Sequence, residues 1–267
     1  MLVTADTHIH SRYSGDSSRR MTIDAICREA LKRGLTAVAI TDHYELSLEL
    51  RFDPASREAE IAEAKEKYAG KLTVLRGIEL GEQASDFKEA NRVLSLADFE
   101  LVLCSVHAVC GWDDFYDVPY SALTDEELVS LWEKYLAELY ETVCFGTMDV
   151  LAHIRYPERY YREVGKDGLM RIEEKGKEYY EPIFKKMIER GSALEINTKA
   201  PLRKGQMPDP GVELLKFYRE LGGRKVTVGS DAHVGRNIGG GFAEAAAMLE
   251  AAGLSPVRDV SELRIRR

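Results

Sequence analysis

The 267-residue sequence has few cysteines, no long apolar run and no excess of positive charge. The four cysteines show no CxxC spacing, which favours a reducing cytoplasm. No apolar stretch reaches the roughly 18–20 residues that a membrane span needs, and the start of the chain lacks the pattern of a signal peptide. The net charge of -8 argues against a general nucleic-acid or membrane-surface binder.

The composition is that of a chain able to bury a core. Hydrophobic residues make up 45% of the sequence, and the mean hydropathy is -0.29. Cys27, Cys104 and Cys144 lie in apolar periodic segments and are predicted to be buried thiols, whereas Cys110 lies in a loop. The sequence shows no linker, repeat or low-complexity tract. We therefore expect one domain that spans residues 1–267.

Histidine is scarce as well, and none of the six histidines is left outside a short motif typical of a metal site. Each one follows an apolar, strand-like run or lies within a few residues of its end. The motifs are Asp-Thr-His-Ile-His with His8 and His10, Thr-Asp-His with His43, Ser-Val-His with His107, Leu-Ala-His with His153, and Gly-Ser-Asp-Ala-His with His233. This pattern predicts one metal centre assembled from many strands.

Seven strand-like runs alternate with helical patterns along the chain. The runs cover residues 2–7, 37–41, 73–79, 101–106, 150–153, 193–197 and 225–230. The helical patterns cover residues 22–33, 55–69, 86–96, 124–143, 167–190, 211–221 and 242–252. Thr22 is an expected N-cap, and Thr124 with Glu127 resembles a capping box. The alternation predicts a parallel sheet with helical crossovers.

An open doubly wound sheet and a closed barrel both fit this alternation. The histidine and carboxylate motifs lie at, or just beyond, the C-terminal ends of six of the seven runs. A closed barrel brings those ends to one rim, whereas an open sheet spreads them along a line. We therefore expect a seven-stranded α/β barrel. The long loops at 44–54, 108–123 and 154–166 leave the expected active rim and are candidate walls of a substrate site.

The spacing of the polar residues supports metal binding. His8 and His10 are two residues apart on a strand or at its end, so both imidazoles point to the same face. Asp231 and His233 repeat this spacing after the last run. Glu79 closes the third run, where an inward-facing carboxylate is costly unless it is paired or bound to metal.

In their order along the chain, these motifs resemble the PHP (polymerase and histidinol phosphatase) superfamily. The resemblance covers residues 6–233 and rests on Asp-Thr-His-Ile-His, Ser-Gly-Asp16, Thr-Asp-His43, Gly-Ile-Glu79, Ser-Val-His107, Ala-His153 and Gly-Ser-Asp231-Ala-His233. Taken alone, Asp16 is an ordinary turn aspartate in a Ser/Gly-rich loop. The resemblance implies a distorted seven-stranded (β/α)7 barrel with a trinuclear metal site.

The resemblance also implies which residues hold each ion. One ion would be held by His8, His10, Glu79 and Asp231, a second by Asp16, His43 and His233, and a third by Glu79 as a bridge with His107 and His153. Glu79, Asp231 and His233 would also belong to the catalytic machinery. Mixed imidazole and carboxylate ligands suit zinc, iron or manganese.

Three features resemble the histidinol-phosphatase branch of the superfamily. They are the aspartate at position 16, the segment Ser-Val-His-Ala-Val-Cys-Gly-Trp-Asp around His107, and Glu195-Ile-Asn-Thr. The branch implies a cytoplasmic metal-dependent phosphatase that hydrolyses L-histidinol phosphate to L-histidinol in histidine biosynthesis. We expect in-line attack of a metal-bridging hydroxide on this monoester, in a pocket that the ions make positive.

Two other functions stay open. One is a PHP phosphoesterase with another substrate, such as a nucleotide, a sugar phosphate or an oligonucleotide end, and the acidic segment 108–127 disfavours the oligonucleotide. The other is a non-enzymatic metal-binding module. Such modules tend to lose ligands, whereas this chain retains all nine. No membrane partner is expected, and the sequence does not indicate an oligomeric state.

Three cations are candidates for binding the substrate phosphate. Arg155, in His-Ile-Arg-Tyr-Pro, has a guanidinium that suits phosphate oxygens, and its alternative role is an ion pair with Glu158 or Glu163. Lys199 and Arg236 are the other two candidates.

Further side chains are candidates for supporting roles. Asp6 and Asp42 are expected to accept the second N–H of ligating histidines. An acidic group after His107 either attracts a cationic amine or imidazole or forms a solvated loop. A tyrosine group packs over that imidazole or covers the barrel mouth. The acidic group is Asp113, Asp114 and Asp117, and the tyrosine group is Tyr156, Tyr160 and Tyr161.

Overall fold

A computed structural model describes residues 2–48, 50–199, 206–257 and 259–263, so residue 49 of the predicted loop 44–54 lies outside it. The strands are β1 (Ala5–Ile9), β2 (Ala37–Ile40), β3 (His43–Glu45), β4 (Thr73–Gly81), β5 (Leu101–Ser105), β6 (Val150–Leu151), β7 (Ala193–Asn197) and β8 (Val226–Gly229). The helices are α1 (Ile23–Lys32), α2 (Pro54–Lys67), α3 (Phe87–Leu94), α4 (Asp125–Cys144), α5 (Glu158–Glu163), α6 (Ile172–Arg190), α7 (Val212–Glu220) and α8 (Phe242–Ala252).

The strands form a nearly closed parallel barrel surrounded by helices, as the sequence predicts. The strand order is β1-β2-β4-β5-β6-β7-β8, and β3 continues the line of β2 by pairing with the second half of β4. The barrel is drawn together at a seam between β1 and β8. There Ile9 forms a parallel bridge with Ala232, and the His10 amide donates to the Ala232 carbonyl at 3.0 Å. The C-terminal ends of the strands therefore meet at one rim.

Strand limits differ from the predicted ones where pairing extends or shortens a run. β1 begins at Ala5, opposite Ala37, rather than at residue 2. β4 continues past Glu79 to Gly81 because β3 and β5 both pair with its second half. Glu79 therefore lies inside a strand, directly opposite His43 in the register.

Helix ends agree with the sequence where capping residues are present. The Thr22 side chain accepts a hydrogen bond from the Ala25 amide at the start of α1. Thr124 and Glu127 form the predicted capping box at the start of α4, in which each side chain binds the backbone of the other. These caps satisfy amides that have no partner within the helix.

Two helical predictions are wrong in detail. The short helix α5 lies within the predicted loop 154–166. The predicted helix 167–190 is divided, because a 3₁₀ turn over Asp167–Met170 is followed by Arg171 with a φ of 49° before α6 begins. A left-handed residue cannot continue an α-helix, so α6 starts immediately after it.

The core lies within the barrel and between the strands and helices. Cys27 and Cys104 are buried in it as predicted, and Cys110 is exposed. Cys144 is only partly buried, because it is the last residue of α4 and lies at the edge of the core. Among the described residues, no helix is long and apolar enough to cross a membrane.

Candidate metal centre

All six histidines lie together at the C-terminal rim of the barrel. His10 is at the centre of the cluster, with its ring centroid 4.1 Å from that of His233, 4.2 Å from that of His43 and 5.0 Å from that of His8. The rings of His107 and His153, whose centroids are 5.0 Å apart, complete the cluster, His107 beside His43 and His153 beside His8. Barrel closure therefore brings together motifs that are far apart in the sequence.

Glu79 is the common neighbour of the histidines. Its Oε1 lies 2.8 Å from His153 Nε2 and 3.4 Å from His107 Nε2. Its Oε2 lies 3.0 Å from His8 Nε2 and 3.4 Å from His10 Nε2. Burial acts to raise the pKa of Glu79, but the charges of His8 and neighbouring histidines outweigh burial and hold that pKa well below its usual range. One ionised carboxylate thus faces residues predicted to bind two different ions.

Asp231 lies at the seam beside His10. Its Oδ1 is 3.2 Å from His10 Nε2 and 3.4 Å from His233 Nδ1. The φ angles of Asp231 and His153 are 49° and 25°, which are left-handed values at non-glycine residues. Such conformations cost energy and are concentrated at functional sites. Backbone strain therefore coincides with two of the predicted ligands.

Asp16 marks the solvent side of the cluster, because its side chain is 42% exposed. Its Oδ2 lies 2.7 Å from His233 Nε2 and 3.6 Å from His43 Nε2. Burial acts to raise the pKa of Asp16, but the hydrogen bond with His233 and the charge of His43 lower it below its usual range. The structure thus brings Asp16 to the two histidines of its predicted ligand set.

The donor atoms fit bound metal ions. Four sets of three residues place their ligand atoms within 4.8 Å of one another: His8–His10–Asp231, His8–Glu79–His153, His10–His43–His233 and His43–Glu45–His107. Nε2 of His10 and Nε2 of His233 are buried, and each faces a carboxylate oxygen, that of Asp231 at 3.2 Å and that of Asp16 at 2.7 Å. Buried imidazole nitrogens that face carboxylate oxygens have the environment of metal-binding donors.

Two glutamates that were not among the predicted site residues hold the histidine rings. Glu45 Oε1 lies 2.8 Å from His43 Nδ1 and 3.1 Å from His107 Nδ1. Glu195 Oε1 lies 2.7 Å from His8 Nδ1, and its Oε2 accepts from the His153 amide at 2.9 Å. Each glutamate therefore connects residues predicted to bind different ions.

The sequence contained signals for both glutamates. Glu45 repeats the two-residue spacing after His43, and Glu195 is a charged residue within the apolar run of β7. A carboxylate on a fully buried strand needs a partner, and ligating histidines commonly donate their second N–H to a carboxylate.

Asp6 and Asp42 are not ligands, as predicted, but neither accepts directly from a histidine ring. Asp6 accepts from the backbone amides of Ser230 and Gly239, each at 2.9 Å, and so fixes the seam of the barrel. Burial raises the pKa of Asp6 to about 6. Asp42 binds Ser11, Ser14 and the buried Arg57.

Gly229 allows the last strand to approach His8. A Cβ atom at this position would lie 2.3 Å from Glu195 Oε1 and 2.4 Å from His8 Cβ. Both distances are far below van der Waals contact. A glycine is therefore required beside the His8–Glu195 pair.

Comparison with known families agrees with this geometry. The PHP domain model matches residues 6–199, a range that includes every predicted ligand except Asp231 and His233. The chain belongs to the PHP domain family.

Relatives of this PHP domain match over nearly the whole chain. A Clostridium acetobutylicum protein named "Probable histidinol-phosphatase" is 31% identical over 253 residues, which cover 94% of this chain and 95% of the relative. The Lactococcus lactis histidinol-phosphatase is 25% identical over 97% of this chain and 95% of its own length. The fold matches a crystal structure of the L. lactis histidinol phosphate phosphatase complexed with zinc, L-histidinol and phosphate, with a TM-score of 0.81, 24% identity and full coverage of both chains.

A cavity of about 250 Å³ opens beside the metal centre of the PHP domain. Two of its lining residues, His153 and Asp231, are predicted ligands, so the cavity and the metal centre share a wall. The other walls come mainly from 155–162 and 206–211. The cavity is therefore placed to hold a molecule that contacts bound metal ions.

One of the three predicted substrate walls lines this cavity. Loop 154–166 does so, whereas 44–54 and 108–123 contribute no lining residue in the described part of the chain. Their place is taken by 206–211, which folds back over the rim because Asn197 and Asp209 form an antiparallel bridge.

The three predicted phosphate-binding cations have different surroundings. Arg155 lines the cavity, but it forms an ion pair with Glu158 and donates to the Pro210 carbonyl at 2.8 Å. The structure therefore contains the ion pair that was the predicted alternative to phosphate binding. Lys199 lines the cavity, with Nζ 3.0 Å from Asp231 Oδ1. Arg236 is exposed and is not among the described residues that line the cavity.

Arg159 is a cavity residue that the sequence did not single out. Its guanidinium carbon lies 4.1 Å from the ring centroid of Tyr156 and 4.9 Å from that of Tyr160. Its Nε is buried without a hydrogen-bond partner among the described residues. Because α5 was predicted as loop, the sequence did not indicate that Arg159 would lie against the ring of Tyr156.

The acidic loop after His107 does not line the cavity within the described residues. Asp113 and Asp117 are exposed, as expected of a solvated loop. Asp114 instead accepts from the Tyr156 hydroxyl at 3.3 Å. Tyr161 is buried and donates to the Leu128 carbonyl at 2.6 Å, so it belongs to the cover of the barrel.

Proposed function

We propose that this PHP domain is a metal-dependent phosphatase that hydrolyses a small phosphate monoester, L-histidinol phosphate. The observation that carries the proposal is that a cavity with cationic side chains opens on a cluster of nine imidazole and carboxylate side chains. A phosphate dianion in this cavity would be attracted by bound cations and by Arg159 and Lys199. Relatives named histidinol-phosphatase, which match along more than nine tenths of the chain, support the choice of substrate.

We infer that the centre holds three divalent ions of zinc, iron or manganese. Zinc is the metal named for the L. lactis structure. The inferred ligand sets are His8, His10, Glu79 and Asp231 for one ion, Asp16, His43 and His233 for a second, and Glu79, His107 and His153 for a third. When bound, such ions supply an activated water and neutralise the charge of a phosphate group.

The side chains around the cavity divide the remaining work. The guanidinium of Arg159 packs against the rings of Tyr156 and Tyr160. Its N–H groups can therefore donate hydrogen bonds to the oxygens of a phosphate. Lys199 adds a compact positive charge beside Asp231, on the wall that the cavity shares with the metal centre. Arg155 is engaged with Glu158, so its main role is to hold α5 against the cavity.

The test is a panel of phosphate esters offered to the protein after zinc, iron or manganese is restored. The panel contains L-histidinol phosphate, sugar phosphates, nucleoside monophosphates, p-nitrophenyl phosphate and diesters, and phosphate release is measured at steady state. We expect L-histidinol phosphate to exceed every other compound by about tenfold or more in kcat/KM.

The other outcomes separate the competing functions. A flat profile or a preference for a nucleotide or sugar phosphate would assign another phosphomonoester to this centre. A preference for diesters would contradict a phosphatase. Metal binding without hydrolysis of any compound would identify a metal-binding module. We further propose that the protein acts in the cytoplasm, within histidine biosynthesis. A preference for L-histidinol phosphate would support the assignment to that pathway.

A further inference from the structure

Arg57 is a buried cation that connects helix α2 to the rim of the barrel. Its side chain is fully buried, and its Nη1 lies 2.7 Å from Asp42 Oδ2. Its Nη2 donates to the Gly77 carbonyl at 2.6 Å, and the ring of Phe52 lies 4.3 Å from the guanidinium. The Arg57 side chain has no hydrogen bond to any of the nine predicted ligands, and its side-chain link toward them passes through Asp42.

Asp42, which is also fully buried, binds the loop that follows β1. Its Oδ1 accepts from the Ser14 hydroxyl at 3.1 Å and from the Ser11 amide at 2.6 Å. Its Oδ2 accepts from the Ser11 hydroxyl at 2.8 Å. A carboxylate paired with an arginine accepts hydrogen bonds and donates none. The hydroxyl proton of Ser14 therefore points toward Asp42.

Ser14 Oγ can then only accept hydrogen bonds from its other neighbours. The His43 amide donates to it at 3.0 Å, and His10 Nδ1 lies 3.3 Å away. Since Ser14 has no second proton to give, the contact with His10 requires a proton on Nδ1. In a neutral imidazole the lone pair then lies on Nε2.

The surroundings of His10 Nε2 agree with a lone pair on that nitrogen. This atom lies 3.2 Å from Asp231 Oδ1 and 3.4 Å from Glu79 Oε2. These two carboxylates are the other oxygen donors of its predicted ion, so Nε2 points to the place where a metal would bind.

We propose that Arg57, Asp42 and Ser14 form a hydrogen-bond network that fixes the tautomer of His10, with the proton on Nδ1 and Nε2 free to bind a metal ion. Arg57 and Asp42 are positioning residues, since their side chains reach the His10 ring only through Ser14. The inference rests on the proposed function, because the tautomer matters only if His10 is a ligand.

The tautomer is directly measurable because the chain has only six histidines. In zinc-loaded protein labelled with ¹⁵N at histidine, long-range ¹H–¹⁵N correlation spectra distinguish a protonated ring nitrogen from a metal-bound one. His10→Gln assigns the signals by removing one spin system. We expect a protonated Nδ1 and a zinc-bound Nε2 at His10. A proton on Nε2 would overturn the proposal.

Ser14→Ala tests the network with a small change, because it removes the acceptor and leaves the Arg57–Asp42 pair intact. We expect the affinity for one zinc ion to fall about 10–100-fold, as when other supporting partners of metal ligands are removed. Competition with a chelator of known affinity measures the change. In the same variant the Nδ1 proton signal of His10 should broaden or be lost.

Ser17→Ala is the matched control. Ser17 lies in the same loop, but its hydroxyl lies 3.2 Å from the backbone carbonyl oxygens of both His10 and His233 and so donates to the backbone and not to a ring. We expect this variant to keep the wild-type spectrum and zinc affinity. Equal zinc affinities in Ser14→Ala and Ser17→Ala would refute the network.

Arg57→Lys tests the far end of the network while keeping the positive charge beside Asp42. We expect a zinc affinity between those of the wild type and Ser14→Ala. An unchanged affinity would remove Arg57 from the network. If the wild-type protein binds no metal, the proposed function fails. If it binds metal but His10 has the other tautomer, the network fails and the metal centre stands.

Discussion

Glu79 Oε1 lies 2.8 Å from Nε2 of His153, which joins the middle of β4 to the segment that follows β6. The second oxygen of the same carboxylate lies 3.0 Å from His8 Nε2, on the first strand. Both oxygens are therefore occupied by predicted ligands of different ions. A change at this one side chain should affect more than one ion.

We expect Glu79→Gln to lose metal and phosphatase activity together, because an amide replaces one of two anionic oxygens at the centre of the cluster. Metal content per chain is measured by mass spectrometry after dialysis against metal-free buffer. Glu213→Gln is the control, since the Glu213 side chain is 86% exposed and pairs with Lys216. Three ions per chain in Glu79→Gln would contradict the bridging role.

Gly229→Ala should weaken the metal centre through packing alone. The added Cβ would lie 2.4 Å from His8 Cβ, and its insertion is expected to cost about 1–3 kcal/mol. Displacement of His8 from Glu195 should also lower metal content. Gly168→Ala is the matched control, because a Cβ at Gly168 meets nothing within 4 Å. Urea unfolding measures the loss of stability. Equal free energies of unfolding in Gly229→Ala and Gly168→Ala would contradict the predicted steric clash at Gly229.

Arg159→Gln should raise KM for phosphate esters by about tenfold or more, because hydrogen bonds to charged groups contribute about 1.5–3 kcal/mol. Metal content should stay at the wild-type level. Arg155→Ala should raise KM less, since Arg155 already forms an ion pair with Glu158. Arg171→Gln, at an exposed arginine paired with Glu174, is the control. A larger effect at Arg155 than at Arg159 would reverse this assignment.

Asp209→Asn should change how stability depends on pH. Burial raises the pKa of Asp209 from 3.8 to about 7, although Arg155 opposes the shift. The native state therefore binds the proton more tightly than the unfolded state, and it loses stability as the pH rises from about 4 to about 7. An asparagine carries no charge and avoids this loss.

We therefore expect Asp209→Asn to be more stable than the wild type at pH 8, by up to about 4 kcal/mol given about 1.4 kcal/mol per pKa unit. The difference should shrink toward pH 5. Urea unfolding at a series of pH values measures it. A difference that does not vary with pH would show that the Asp209 carboxyl is not protonated in the native state near neutrality.

Local sequence patterns were sufficient for most of the fold. The strand-like runs and the capping box at Thr124 predicted the barrel and the start of α4, because alternation and capping act over a few residues. The break at Arg171 and the helix α5 had no such signal. A six-residue helix has little periodicity, and it forms here against the cavity through tertiary contacts.

The sequence predicted the residues of the metal cluster about as well as it predicted the fold. It did not predict the residues that hold the cluster and the cavity in place. The histidine motifs follow strand ends, which a barrel brings together whatever the details of packing. Arg57 belongs to a helix outside the sheet, and nothing local indicates that it reaches Asp42. The 206–211 wall likewise depends on the bridge between Asn197 and Asp209. That the whole chain is one domain stays a prediction.

The seam between β1 and β8 affects the order of events when the protein is made. His8 lies in the first strand and His10 directly follows it, whereas Asp231 and His233 follow the last strand. Synthesis proceeds from the N-terminus, so the first two leave the ribosome long before their partners exist. A nascent chain therefore holds only part of the ligand set. Only a chain that has been synthesised past His233 and has closed its barrel could therefore bind the full set of metal ions.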